Sequence, residues 1–199
     1  MAWLSSLSAG VRPYANKRYI LPLLTLFILT LIVLEISPVG AMRLASLNSG
    51  QGMLDMRFGY TAESVYSMFG LIGEHGRLLY TQLLGLDYLF TVVYMLLQTL
   101  LITALMRKAG VHERFKLLNL IPLLRCLLDL LENTLLYFLL ISYPVENGSL
   151  VNFCSIVTMV KLSLNYGYMG MMFLLGALST RGIMTVALKA HTGKVEESV

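Results

Sequence analysis

Between Asp87 and the pair Arg107-Lys108 lie nineteen residues, Tyr88 to Met106, without a single charge. As a helix this stretch rises about 28 Å, close to the thickness of a bilayer's hydrocarbon core. A helix apolar on every side must be buried on every side or face lipid. The chain has 199 residues, 57% of them apolar and 13% charged, more hydrophobic side chains than one soluble core can hide. An integral membrane protein of one domain, residues 1–199, follows, and the mean hydropathy of +0.73 agrees with it. Disorder, a collagen repeat and a disulfide scaffold are excluded by the apolar content, by scattered glycine and by a cysteine count of only two.

Three further stretches are long enough to cross. The first, about 20–41, contains sixteen uncharged residues from Tyr19 to Leu34, then Glu35, and is closed by Pro38 and Gly40. The second is the run above, about 88–106. The third, about 117–143, carries Arg125, Asp129 and Glu132 within it, and the fourth, about 150–180, carries Lys161. The fourth exceeds what the bilayer requires, so a tilt or an interfacial first turn is expected.

Lysine and arginine are distributed unevenly about these spans. Arg12, Lys17 and Arg18 precede the first; Arg107, Lys108, Arg114 and Lys116 separate the second from the third; Arg181, Lys189 and Lys194 follow the fourth. The opposite side has Arg43, Arg57 and Arg77, offset by Asp55, Glu63, Glu74 and Glu146. Positive charge is retained on the inner side, so both termini are expected on the cytoplasmic, matrix or stromal side. This bias also accounts for the net charge of +4 without a nucleic-acid partner.

A competing reading makes the first span a signal peptide cleaved near Pro38, Val39, Gly40 and Ala41. The leader ahead of it is long for that role, and retention is the expectation. The acid-free, Ser-rich first 34 residues also resemble a transit peptide, which leaves both a bacterial inner membrane and an organellar membrane open.

The outer loop, 42–87, has Val65, Met68, Phe69 and Ile72 at helical spacing. Thr61 is placed to cap this helix, with Glu63 in its first turn. Gly73-Glu74-His75-Gly76 reads as a turn, after which Arg77, Tyr80, Thr81, Leu84 and Asp87 continue helically into the second span. An amphipathic helix on the outer surface is expected here. Gly59-Tyr60, the GEHGRLLY segment Gly73–Tyr80 with Asp87, and Asp129-Leu-Leu-Glu132-Asn133 together resemble a pattern in a family of small, poorly characterised four-helix membrane proteins. The likeness covers about half the chain. It implies topology and residues to watch, with no activity attached.

Arg125, Asp129 and Glu132 stand at i, i+4 and i+7, within about 60° of one another on a helix face. Lys161, Asn165 and Tyr168 repeat that spacing in the fourth span, and Tyr94 and Gln98 are four apart in the second. Ionised groups at bilayer depth cost at least ~2.5 kcal/mol each, so these faces should point inward and pair. The formal charges of Arg125, Lys161, Asp129 and Glu132 sum to zero, the condition for a closed network. Glu35, Arg77, Asp87, Asn133 and Asn165 are candidates to extend it, although solvated positions at the span ends account equally for Glu35, Arg77 and Asp87.

Other chemistry has little support. His75, His112 and His191 fall in expected loops and offer no intramembrane pair for haem. Cys126 and Cys154 lack a CxxC partner, which argues against zinc and dithiol chemistry. Met169, Met171 and Met172 read as packing rather than copper ligands. No phosphate loop, dinucleotide fingerprint or nucleophile elbow occurs. Accordingly no metal, no cofactor and no catalytic residue is expected. The sequon Asn147-Gly148-Ser149 lies too near the membrane for ready modification. Ser163, Gly167 and Gly170 form a small-residue face that admits another helix, internal or from a partner. Trp3, Leu4, Leu7 and Val11 predict an interfacial N-terminal helix on the inner face.

The expected fold is all-α, a four-helix transmembrane bundle with an amphipathic outer helix between spans one and two. The expected function is interaction: an accessory or assembly subunit of a membrane complex, partnered by lipid and by other subunits or by itself. The first alternative is a small oligomeric ion- or proton-coupled transporter using the buried charges. The second is an intramembrane lipid-modifying enzyme.

Overall fold

The computed structural model describes residues 2–196, with side chains described for 3–112 and 115–180. The side chains of Arg114, Arg181, Lys189, His191 and Lys194 thus lie outside the described residues. The chain is all-helical. The helices are α1 Ala2–Val11, α2 Lys17–Ile36, α3 Ala41–Leu47, α4 Ala62–Lys108, α5 Ile121–Ser142 and α6 Gly148–Glu196, with 3-10 turns at Arg12–Tyr14, Leu54–Met56 and Glu113–Leu120. No strand occurs among the described residues.

Two helical stretches are long and apolar enough to cross a membrane, Lys17–Leu47 and Ala62–Lys108. In α2 the one buried residue is Leu34, while Leu21, Ile28, Leu29 and Ile32 stand exposed. The N-cap Asn16 starts α2, its Oδ1 accepting from Arg18 N at 3.0 Å. The helix stops at Ile36, short of the expected 41, and the chain turns into α3 at Gly40. A Cβ there would lie 2.6 Å from the carbonyl oxygen of Glu35, so the turn needs glycine.

α4 is the central helix, packing on α2, α5 and α6. Its first arm, 62–72, is the helix expected from the spacing of Val65, Met68, Phe69 and Ile72. Thr61 caps it: Ser64 N donates to Thr61 Oγ1 at 3.3 Å and Thr61 N donates to Ser64 Oγ at 3.1 Å. This reciprocal pair satisfies two donors that no turn of helix can reach. Thr61→Ala is therefore expected to lower stability by about 1 kcal/mol, read as a fall in the thermal unfolding midpoint. Gly73, with φ 64 and ψ −173, is the one residue that breaks the helix; Glu74 and His75 are already helical, so the expected four-residue turn is a single-residue kink.

That kink folds the arm back onto the protein. Val65, Phe69 and Ile72 are buried with Leu83 and Leu84 of the long arm, Leu136 and Leu139 of α5, and Val151 of α6. The apolar face of the outer helix is thus spent on the protein's own core and not on lipid. A second cluster, Ile102, Met106, Tyr168 and Leu175, closes the other end of the α4–α6 contact.

α1 docks by hydrogen bonds onto the 3-10 turn before α5. Ser8 Oγ donates to Lys116 O at 2.9 Å, and Asn119 Nδ2 donates to Ser8 O at 3.2 Å. Trp3 and Leu7 are exposed. The third apolar stretch begins as α-helix only at Ile121, because Pro122 fits a first turn, where its missing N–H costs nothing. Asn147 starts α6, its Oδ1 accepting from Leu150 N at 3.0 Å, which gives the sequon asparagine a structural role.

Candidate functional site, a buried charge cluster lining a chamber

α5 runs antiparallel to the long arm of α4 and to α6, and the three polar faces meet. Lys161 Nζ of α6 lies 3.0 Å from Asp129 Oδ1, is paired with Glu132 Oε2, and stands 4.0 Å from Asp55 Oδ2. Arg125 Nη2 binds Asp129 Oδ2 at 2.6 Å, one helical turn along α5, and its guanidinium lies over the Tyr94 ring at 4.7 Å from the centroid. Thr91 Oγ1 of α4 donates to Asp129, and Thr158 Oγ1 of α6 donates to Glu132. Asp87 Oδ2 accepts from Asn133 Nδ2 at 2.7 Å. Arg125, Asp129, Glu132 and Lys161 are all buried, so their charges are compensated by one another and not by water.

The structure brings together Arg125, Asp129, Glu132 and Lys161, with Asp87 and Asn133 beside them. Asn165 lies one turn below Lys161, its Oδ1 3.5 Å from Gln98 Nε2. Arg77 stands apart: it donates to Phe69 O at 3.0 Å and lies over the Tyr143 ring at 4.4 Å. Glu35 is exposed at the rim. Ser163, Gly167 and Gly170 are exposed, and among the described residues a Cβ at either glycine would meet nothing within 4 Å. Cys126 and Cys154 are buried free thiols. Among the described residues no group of three His, Cys, Asp or Glu side chains is placed to hold a metal ion.

Asp55 is the site residue that sequence reasoning missed, counted there as a solvated acid of the outer loop. It is 5% exposed. The loop is pulled inward by Leu54, fully buried, whose backbone N donates to the Tyr80 hydroxyl at 2.9 Å. The local signal was slight: an acid set between Met53-Leu54 and Met56. Burial pushes the Asp55 carboxyl above the ordinary range, Lys161 opposing this and Asp129 adding to it.

Asp55 and Asp87 alter the charge sum. With Arg125 and Lys161 against Asp55, Asp87, Asp129 and Glu132, two cations face four carboxyl groups, a formal charge of −2 where Arg125, Asp129, Glu132 and Lys161 alone gave zero. The network is not closed. Asp55 Oδ1 and Arg125 Nε and Nη1 are buried without a hydrogen-bond partner among the described residues. Glu132 Oε2, also without a directed hydrogen bond, is held by the Lys161 ion pair.

These groups border a cavity of about 550 Å³. One wall is charged, from Asp55, Asp87, Arg125, Asp129 and Lys161; the other is apolar, from Phe27, Leu31 and Leu34 of α2 with Phe90 of α4. Phe27, Phe90 and Tyr94 pack together, with ring centroids 5.2–5.7 Å apart. Such a chamber can hold a molecule with a polar end and an apolar side.

Comparison with family models, with curated proteins and with solved structures finds no match.

Proposed function

We propose that this chain is a four-span membrane protein whose polar chamber binds a small solute, as a carrier or channel-like protein does. In this reading α2, the long arm of α4, α5 and the first part of α6 cross the bilayer. The inner side is the one holding Lys17, Arg18, Arg107, Lys108 and Lys116, by the positive-inside rule. One observation carries the reading: buried groups of both signs, Asp55, Asp87, Arg125, Asp129 and Lys161, border a cavity of about 550 Å³. A network serving helix register alone gains nothing from an open side, because each unsatisfied buried atom costs about 1–3 kcal/mol. Intramembrane ionisable groups that face a cavity mark solute paths.

The test uses single cysteines on α2, since the two native thiols are buried. In oriented membrane vesicles, Leu31→Cys, on the chamber wall, is expected to react with a charged, membrane-impermeant thiol reagent added from the outer side. Leu29→Cys, on the exposed apolar face, is expected to stay unmodified in lipid. Equal inertness of both would remove the water-accessible chamber and with it the solute-binding reading.

A second reading, an assembly subunit, is favoured by the uncovered face of Ser163, Gly167 and Gly170. Small residues let a helix of another subunit, or of a second copy, approach closely. The native mass in mild detergent separates these cases. Nothing in the geometry favours the lipid-modifying alternative.

A further inference from the structure

We propose that the apolar groove between α1, α2 and the C-terminal part of α4 holds a phospholipid of the bilayer with an anionic headgroup. This site is separate from the charged chamber and rests only on the reading of α2 and α4 as spans. The groove, of about 710 Å³, has Leu7 and Val11 of α1 on one wall, Leu23 and Leu26 of α2 on the second, and Leu96 and Leu100 of α4 on the third. Thr99 also lines it, but donates its hydroxyl proton to Met95 O of its own helix at 2.8 Å. The α1 wall is held from outside the groove. Ser8 Oγ donates to Lys116 O and Asn119 Nδ2 donates to Ser8 O, which ties α1 to the turn before α5 while Leu7 remains exposed.

The groove has one polar end. α2 and α4 run antiparallel, since Arg107 Nη2 donates to Ala15 O at 2.9 Å and Phe27 stacks on Tyr94. Arg18, Tyr14 and Tyr19 line the groove at the start of α2, two helical turns or about 12 Å from Leu26. Arg107 brings a second guanidinium to the same end of the helix pair. Among the described residues no acid lines the groove, and none occurs in the first 34 residues of the chain. Leucine walls with cations at one end are complementary to an amphiphile whose head is negative. A water-soluble anion would leave the walls bare, and an uncharged apolar molecule would leave Arg18 unpaired. The tyrosine rings suit the depth of lipid headgroups, and the positive-inside rule puts this end in the inner leaflet.

The test uses the full chain in mild detergent, mixed with equal amounts of phosphatidylglycerol and phosphatidylcholine carrying the same acyl chains. Native mass spectrometry then reads the lipid that stays bound. Wild type is expected to retain phosphatidylglycerol severalfold over phosphatidylcholine. Arg18→Ala is expected to bring the two to parity, and Arg18→Lys to restore much of the preference. Leu96→Trp, which places a large ring at an exposed position in the groove, is expected to lower retention of both lipids while thermal unfolding stays cooperative. Equal retention of the two lipids by wild type would overturn the anionic headgroup. A preference that survives Arg18→Ala, or retention that survives Leu96→Trp, would overturn the groove as the place of binding. Release of the chain from membranes by alkaline carbonate would remove the spanning reading, and this site with it. The reaction of Leu31→Cys reports on the chamber independently of each of these results.

Discussion

Lys161→Ala is expected to cost about 3–5 kcal/mol of stability, the cost of leaving buried charges without their partner. That is a large part of a protein's total margin, so the folded yield should fall with it. Lys161 Nζ is the one cation shared by Asp55, Asp129 and Glu132, and it is 3% exposed. Its removal leaves Arg125 alone among four buried carboxyl groups. Thermal unfolding of the purified protein measures the loss. Adding Glu132→Gln to Lys161→Ala removes one of the stranded charges and should recover part of it, the non-additivity expected of residues in contact. If Lys161→Ala unfolds at the wild-type midpoint, the ion pairs contribute no net stability, and the charge cluster has no structural role.

Gly73→Ala is expected to cost about 1–3 kcal/mol, because φ 64 with ψ −173 is a backbone region that residues with a Cβ rarely enter. Gly76 adds a second constraint three residues on: a Cβ there would lie 2.6 Å from Ile72 Cβ. The pair sets the return of the outer arm, so both Gly73→Ala and Gly76→Ala should weaken the packing of Phe69 and Val65 as well as the helix. Proteolysis within 62–72 should quicken in both variants before the rest of the chain unfolds. An outer arm as protected in Gly73→Ala as in the wild type would show that the kink tolerates a side chain.

Much of the local structure was legible. The spacing of Val65, Met68, Phe69 and Ile72 placed a helix, Thr61 placed its start, and a glycine placed its end. The i, i+4, i+7 pattern put Arg125, Asp129 and Glu132 on one face, and Lys161 stands opposite them across α5 and α6. The stop of α2 at Ile36 was read five residues late, since Ile36, Val39 and Ala41 beyond Glu35 are apolar enough to prolong a span. The small-residue face of Ser163, Gly167 and Gly170 was visible as a pattern, but a pattern does not say whether a helix of the same chain lies on it. The structure leaves it open.

By itself the sequence determined the quantities that depend on neighbours along the chain. These are the uncharged lengths that suit a bilayer, the uneven spread of lysine and arginine about them, the helix caps, and which residues share a helix face. Tertiary structure alone decided what those faces meet. The apolar side of the outer helix turns to α5 and α6, and Arg77 turns to Tyr143 rather than to the cluster. Asp55 moves from solvent into the charge network, drawn there by Leu54 and by Tyr80, 26 positions further along the chain. The physical reason is that helical periodicity follows from local backbone geometry, whereas the burial of an acid depends on what distant segments close over it. The zero sum of four charges was a property of the spans; the surplus of two carboxyl groups, and the open chamber that goes with it, belongs to the fold.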